Sequence, residues 1–372
     1  MRELCTSREL CAARDTCATT EICVVNLAMI GSAGVPNRYG GFVAFLEHCS
    51  PALAAKTAST VVTCDSGLYD EHTSDFHGVH RIFLKTPANG SWSVLHDLLA
   101  FFSVYRRTTH IVVLGVSGAP WFPLFRLMCA VGGKRLLVNI DGVEWRRTKF
   151  SKSRRLLLRV FDAVAQSCAH VVIYDNPALR EFVLDSCQAK AVCIGYSGDH
   201  VIRVPVVNRG KFQALTICRI EPENNLDMLI EGALLSPLEQ YTIVGNWAQS
   251  EYGSALRERY AKEPRLNLLD PIYDAQQLAM LRESCAVYLH GHSVGGTNPS
   301  LVEMLFYDCA IVCFDVAFNR ETAGDCAGYF SSVNDLATLD AASLPGPGDR
   351  LARRLSYTRS HIADQYLAAM VG

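Results

Sequence analysis

Residues 286–303 read AVYLHGHSVGGTNPSLVE, and this stretch decides the fold. Its first five residues form a short apolar run closed by His290, the pattern of a strand buried on both faces. Gly295 and Gly296 follow, then Thr297 and a helix start. Asn298 is a good N-cap, and Pro299 loses nothing by lacking an N–H in the first turn. Free N–H groups and a positive dipole end, from Thr297 to Ser300, make a site for a diphosphate. Glu303 lies one turn further in, on the face of Pro299 and Ser300. That is too deep for the phosphates but well placed to accept hydrogen bonds from ribose hydroxyls. An ordinary capped helix with a solvated Glu would carry the same residues.

The same strand–turn–helix unit recurs along the chain. Buried-strand runs occupy 22–30, 60–64, 79–84, 110–115, 135–140, 170–174 and 191–194, with amphipathic helical stretches at 42–55, 91–107, 153–167 and 177–186 between them. Pro51 falls inside the first helical stretch and predicts a kink or break. After a polar linker the alternation restarts, with strands at 214–218, 241–245, 266–270, 286–290 and 310–314 and helices at 226–234, 275–283 and 299–307. Two such runs predict an α/β chain of two doubly wound Rossmann-like domains facing a central cleft. The expected boundaries are an N-terminal extension at 1–21, an acceptor-side domain at 22–202, a linker at 203–211 and a donor-nucleotide domain at 212–355. A terminal helix at 356–372 would pack back on the first domain. Ligands of such sheets bind beyond the carboxyl ends of the strands, which puts the site in the cleft.

Several other loops end at that cleft. Arg219 closes the first strand of the second half, and a guanidinium there can neutralise a departing diphosphate. It can equally pair with Glu221 or Glu223 on its own loop. Gly245 and Asn246, before Trp247, close the next strand and suit the base or the diphosphate. In the first half, the glycine-rich GSAGVPNRYGGF at 31–42 can aim backbone N–H groups at an anion or hydroxyl, which would put Gly34, Arg38, Tyr39, Gly40 and Gly41 on the acceptor or donor-sugar side. An ordinary βα turn would carry the same glycines. Its spacing is not the dinucleotide G-x-G-x-x-G, and no clear acidic residue ends the second strand to read a ribose. Asp141, in NIDG, is the carboxylate best placed to touch a hydroxyl, and a turn-capping Asp would look the same.

A basic run, Arg146, Arg147, Lys149, Lys152, Arg154, Arg155 and Arg159, follows with no acidic residue among them. Trp145, Phe150 and the leucines at 156–158 flank it, which suits anionic lipid headgroups or a lipid-diphosphate acceptor. The whole chain of 372 residues carries a net charge of −2, so it has no global attraction to nucleic acid, and none is expected as a partner. Fifteen cysteines could suggest disulfides, but Cys193, Cys218, Cys285 and Cys313 sit in apolar runs as small hydrophobes, which fits a reducing cytoplasm. Residues 2–23 repeat a hexapeptide with Cys5, Cys11, Cys17 and Cys23 six apart, a spacing that does not hold all four on one helical face. An unstructured extension is expected there, and no metal site. No apolar run reaches the roughly 18 residues a spanning helix needs, because Pro120, Pro123 and Arg126 interrupt the best one. A cytoplasmic protein, at most peripheral on the inner face of the membrane, is expected.

GVPNRYGGFVAFLE, NIDGVEW, CRIEPENN and YLHGHSVGGTNPSLVE together resemble the GT-B glycosyltransferases of family 4, most closely a bacterial rhamnosyltransferase-like branch. The resemblance covers nearly the whole chain from about residue 22. It implies a nucleoside-diphosphate sugar as co-substrate, no cofactor, and retention of anomeric configuration without a metal. It also implies diphosphate contacts from Arg219 and the position of Asn224, and ribose contacts from Glu303 as the second Glu of an E-x7-E motif. The chain departs from that pattern twice: Gly295 stands at the first Glu, and Asn224 at the usual Lys. Transfer of a sugar such as rhamnose to a polysaccharide or lipid-linked glycan is the expected activity. A GT-B sugar-nucleotide epimerase and a catalytically silent nucleotide-sugar-binding protein are the alternatives.

Overall fold

The computed structural model describes residues 25–38, 40–146, 150–205, 212–340 and 343–372. The Cys5–Cys23 repeat, Tyr39, Arg147, Lys149 and most of the linker lie outside these.

Apolar runs that hide both faces pair as parallel strands, since each needs helices above and below to exclude water. In the first domain these are β1 (Asn26–Ile30), β2 (Ser59–Asp65), β4 (Val79–Leu84), β5 (His110–Leu114), β6 (Arg135–Asn139), β7 (Val171–Tyr174) and β8 (Ala191–Cys193). The two-residue β3 (Asp75–Phe76) adds an antiparallel edge, giving the order β3-β4-β2-β1-β5-β6-β7-β8. Helices α1 (Gly41–Ala54), α2 (Ser93–Tyr105), α3 (Phe122–Val131) and α4 (Lys152–Cys168) connect them. The second domain has six parallel strands, β9 (Gln213–Ile217), β10 (Gln240–Val244), β11 (Leu266–Leu269), β12 (Val287–His290), β13 (Ala310–Phe314) and β14 (Gly328–Phe330). Their order is β11-β10-β9-β12-β13-β14. Between them run α5 (Leu226–Leu235), α6 (Glu251–Arg259), α7 (Ala275–Ser284), α8 (Pro299–Met304), α9 (Ala317–Ala323) and α10 (Val333–Ala337).

After α11 (Leu351–Ser356) the chain returns to the first domain as α12 (Arg359–Val371). Ile362, Tyr366 and Met370 join Phe45 and Leu46 of α1 in one core. Asn139 Nδ2 donates to the Tyr366 hydroxyl at 3.2 Å, which ties α12 to the end of β6. The opposite face of the sheet is covered by α2, α3 and α4. Cys49, Cys64, Cys129 and Cys313 are free and buried as small hydrophobes. No helix among the described residues is long and apolar enough to cross a membrane.

Three local features differ from the simplest expectation, for identifiable reasons. First, α1 is not broken at Pro51; the helix runs on to Ala54, because a proline removes one bond and the flanking turn is held by its buried face. Second, 177–186 is not an α-helix but lies in two 3-10 helices, Pro177–Phe182 and Asp185–Lys190. Side chains supply the backbone partners there: Asn176 caps the first, Gln166 Oε1 accepts the Leu184 N–H, and Gln188 Nε2 donates to the Arg180 and Val183 carbonyls. Third, an acidic residue does end the second strand. Asp65 closes β2, but its carboxylate accepts the Gly67 and Ala88 N–H groups and braces the turn.

Candidate functional site

The loop leaving β12 is shaped by close backbone approaches. A Cβ on Gly291 would stand 2.1 Å from the Asn224 carbonyl oxygen, so only glycine lets the β12 and β9 loops touch there. The two loops are then stitched together. Asn225 Nδ2 donates to the Gly291 carbonyl at 2.7 Å, and the Ser293 N–H to that of Glu223 at 2.9 Å. Asn224 is buried, with its Nδ2 donating to the Arg219 carbonyl at 2.7 Å and its Oδ1 2.9 Å from His292 Nδ1. Its amide is therefore a strut that sets the shape of the Arg219 loop.

Arg219 itself is half-exposed beyond β9, with one guanidinium nitrogen 3.4 Å from Glu223 Oε1. So loose a contact leaves most of its donors available. Gly245 is forced by the Cys218 carbonyl, which a Cβ would approach to 2.5 Å. Asn246 is exposed, while Trp247 is fully buried and donates from Nε1 to the Leu269 carbonyl at 2.9 Å. His290 is buried at the end of β12, and its Nε2 has no partner among the described residues. Burial, reinforced by His292, pushes its pKa down to about 3, so the ring is neutral.

The start of α8 has the expected cap: Asn298 Oδ1 accepts the Ser300 N–H at 3.0 Å. Just before it, the chain meets the first domain. Gly142 packs so closely that its Cβ would lie 3.2 Å from Gly295 Cα and from Gly296 N. A Cβ on Gly296 would stand 1.8 Å from Asp175 Oδ1. The Thr297 N–H donates to that oxygen at 3.1 Å, and the Thr297 hydroxyl donates to the Asp175 carbonyl. Asn176 Nδ2 completes the clasp, 3.1 Å from Thr297 Oγ1, 3.1 Å from Thr322 Oγ1 and 3.0 Å from the Phe318 carbonyl. The carboxyl edges of the two sheets therefore face each other.

Asp141 follows β6 at a left-handed φ of 60°, with its N–H on Asn139 Oδ1 at 3.0 Å. Burial raises the Asp175 carboxyl to about 7, and the negative charge of Asp141 adds to the shift. Glu303 is held differently. Burial alone would raise its pKa, but Arg282 and His200 outweigh that and hold it down at about 2. Arg282 Nη2 donates to one carboxylate oxygen, and His200 Nε2 stands 3.2 Å from the other. His48 of α1 stacks on the His200 ring at 3.5 Å between centroids. Glu303 is thus a carboxylate ionised at neutral pH in a cross-domain cluster, with only 16% of its side chain exposed.

On the first domain's glycine loop, Gly34 is structural: at φ +98° its Cβ would strike Cys64 Sγ at 2.4 Å. Gly40 and Gly41, at the start of α1, border open space. The Arg38 guanidinium lies 5.7 Å over the Tyr69 ring.

Asp175, Asn176, Arg282, His200 and His48 escape a reading of the sequence. Asn176-Pro177 looks only like a helix cap, and nothing near Arg282 in the chain announces a partner 21 residues on.

Residues 24–199 match a family model described as a domain of unknown function, DUF1972. No curated protein matches the chain by sequence. Among solved structures, sucrose-phosphate synthase from Thermosynechococcus elongatus superposes with a TM-score of 0.74 at 16% identity, over 92% of this chain and 97% of that one. Anabaena HepE, in complex with UDP and glucose, gives 0.67 at 14% identity over 94% and 100%. The pneumococcal O-GlcNAc transferase GtfA, in complex with UDP and GlcNAc, gives 0.54 at 15% identity over 74% and 59%. Two Rossmann-like domains of these topologies, facing one cleft, make this a GT-B fold.

Proposed function

We propose that the chain transfers a sugar from a nucleoside-diphosphate sugar to a glycan or lipid-linked acceptor. One observation carries the reading: Arg219 after β9, Asp141 after β6 and the β12 loop that opens α8 all follow strand ends at the facing carboxyl edges of the two sheets, with the ionised Glu303 one turn into α8. Similar folds that hold UDP together with glucose or GlcNAc support it.

In this reading Arg219 leaves Glu223 and pairs with the diphosphate as its charge develops, and the Thr297 N–H leaves Asp175 to join it. Glu303, kept ionised, accepts from the ribose hydroxyls. Gly245, Asn246 and His290 line the donor side. Asp141, with Arg38, Tyr39, Gly40 and Gly41, faces the acceptor or the donor sugar. No side-chain nucleophile is needed, because in the retaining chemistry of the resembling family the departing phosphate assists the incoming hydroxyl, without a metal. With Gly295 in place of a first Glu, the donor site has one fewer acceptor for sugar hydroxyls, which suits a deoxysugar such as rhamnose. The basic run from Arg146 to Arg159 meets an anionic membrane on the inner face of the cell.

The test is incubation with a panel of labelled sugar nucleotides, with and without a lipid-linked acceptor. Sugar transfer to the acceptor supports the proposal. Interconversion without acceptor would show an epimerase. Binding without turnover would show a silent binding protein, the reading favoured by the strut role of Asn224.

A further inference from the structure

Helices α2, α3 and α4 lie side by side on one face of the eight-stranded sheet. Phe101 of α2, Phe125 of α3 and Ala165 of α4 share one core with Ile111 and Val138. The Phe101 and Phe125 rings stack at 3.9 Å, and the Tyr105 hydroxyl donates to the Met128 carbonyl at 2.8 Å. Those inner contacts fix which side chains point outward. Phe102, Leu124, Leu127, Leu156, Leu157 and Val160 do so, each between 39% and 65% exposed. Single exposed apolar residues are ordinary, but a set spread over three adjoining helices is an interaction surface.

The charge around them is one-sided. From the start of α2 to the end of α4, residues 93–168 hold twelve Lys and Arg against four acidic residues, in a chain whose net charge is −2. Arg154 and Arg159 lay their guanidinium groups over Phe150 and Trp145, at 4.4 and 5.2 Å from the ring centroids, an apolar stem with a charged tip. All three helices start at the carboxyl edge of the sheet. The exposed Trp92, just ahead of α2, and the first turns of α3 and α4 therefore stand at the rim of the cleft that Asp141 borders.

We propose that this three-helix face lies on an anionic bilayer, its apolar side chains at the headgroup–acyl boundary and its arginines on lipid phosphates. A second copy of the chain is disfavoured, since a two-fold contact would set this positive patch against itself. The seating turns the cleft mouth toward the membrane. Bilayer binding extends to three helices the membrane contact proposed above for the basic run, and only the orientation of the cleft rests on the lipid-linked acceptor.

The test is co-sedimentation of the full chain with vesicles of equal parts phosphatidylcholine and phosphatidylglycerol, against vesicles of phosphatidylcholine alone. The wild type should pellet with the anionic vesicles and be released by salt. Leu127→Glu/Leu156→Glu/Leu157→Glu and, separately, Arg154→Glu/Arg159→Glu should each weaken partitioning at least tenfold, given about fivefold for each basic side chain near the surface. Equal pelleting by wild type and both variants, or none by the wild type, overturns the proposal. So does a dimeric wild type that the leucine variant makes monomeric. Calorimetric titration with UDP on the same proteins separates the two readings. Lost vesicle binding with intact UDP binding is the expected variant result, and failure of the wild type to bind either UDP or other nucleoside diphosphates would count against the transferase reading alone.

Discussion

Asp175 Oδ1 accepts the Thr297 N–H at 3.1 Å across the domain boundary, so a buried carboxyl of the first domain holds the loop that opens α8 in the second. An amide expected to meet a phosphate is met by a carboxyl of the same chain. For the transfer proposed above, a donor diphosphate would have to share or replace that contact.

Burial raises Asp175 to about 7, so between about pH 4 and pH 7 the folded chain keeps a proton that the unfolded chain has released. The group's contribution to stability is therefore full below its unfolded pKa and is lost as pH rises through 7. Asp175→Asn keeps an acceptor for Thr297 and removes the titration. The fall in melting temperature from about pH 5 to about pH 7.5 should be at least ~2 °C smaller in this variant than in the wild type. Equal falls would show that Asp175 does not carry the proton.

Arg219→Ala should lower turnover at least about tenfold, or ~1.4 kcal/mol of transition-state stabilisation, with little change in melting temperature. The half-exposed side chain makes one loose ion pair, so the fold does not depend on it. Steady-state kinetics with the active sugar nucleotide decide it, and unchanged kcat/KM would remove Arg219 from the site.

Glu303→Gln leaves Arg282 buried without its counter-charge, which should cost about 3–5 kcal/mol by urea unfolding. Adding Arg282→Met should recover much of that stability. If Glu303 also holds the ribose, the double variant stays weak in nucleotide binding despite its recovered fold. Recovery of both would make the ion pair purely structural.

Tyr366→Ala opens a cavity between α12 and α1 and removes the Asn139 contact. It should cost about 3–5 kcal/mol, read from urea unfolding by tryptophan fluorescence. A loss below 1 kcal/mol would mean that α12 is not part of the first domain's core.

The cap at Asn298 and the buried runs of β1, β5 and β12 were legible because each depends on neighbours within a few residues. The 177–186 stretch misled because its periodicity suits a helix, while Gln166 and Gln188 supply backbone partners from outside that pattern. Asp175 and Thr297 are separated by 122 residues, and Glu303 and His200 by 103, so no window along the chain contains either pair.

By itself, then, the sequence determined two runs of βα units, their glycine turns and the strand ends after which Arg219, Asp141 and Glu303 come. Such features follow from local hydrogen bonding and from which residues must leave water. Only the tertiary structure decided the protonation of the carboxyls. Asp175 rises because it is buried beside another negative group, and Glu303 falls because Arg282 and His200 are folded against it. Charge stabilisation in a buried site depends on distance through space, and the fold alone sets that distance.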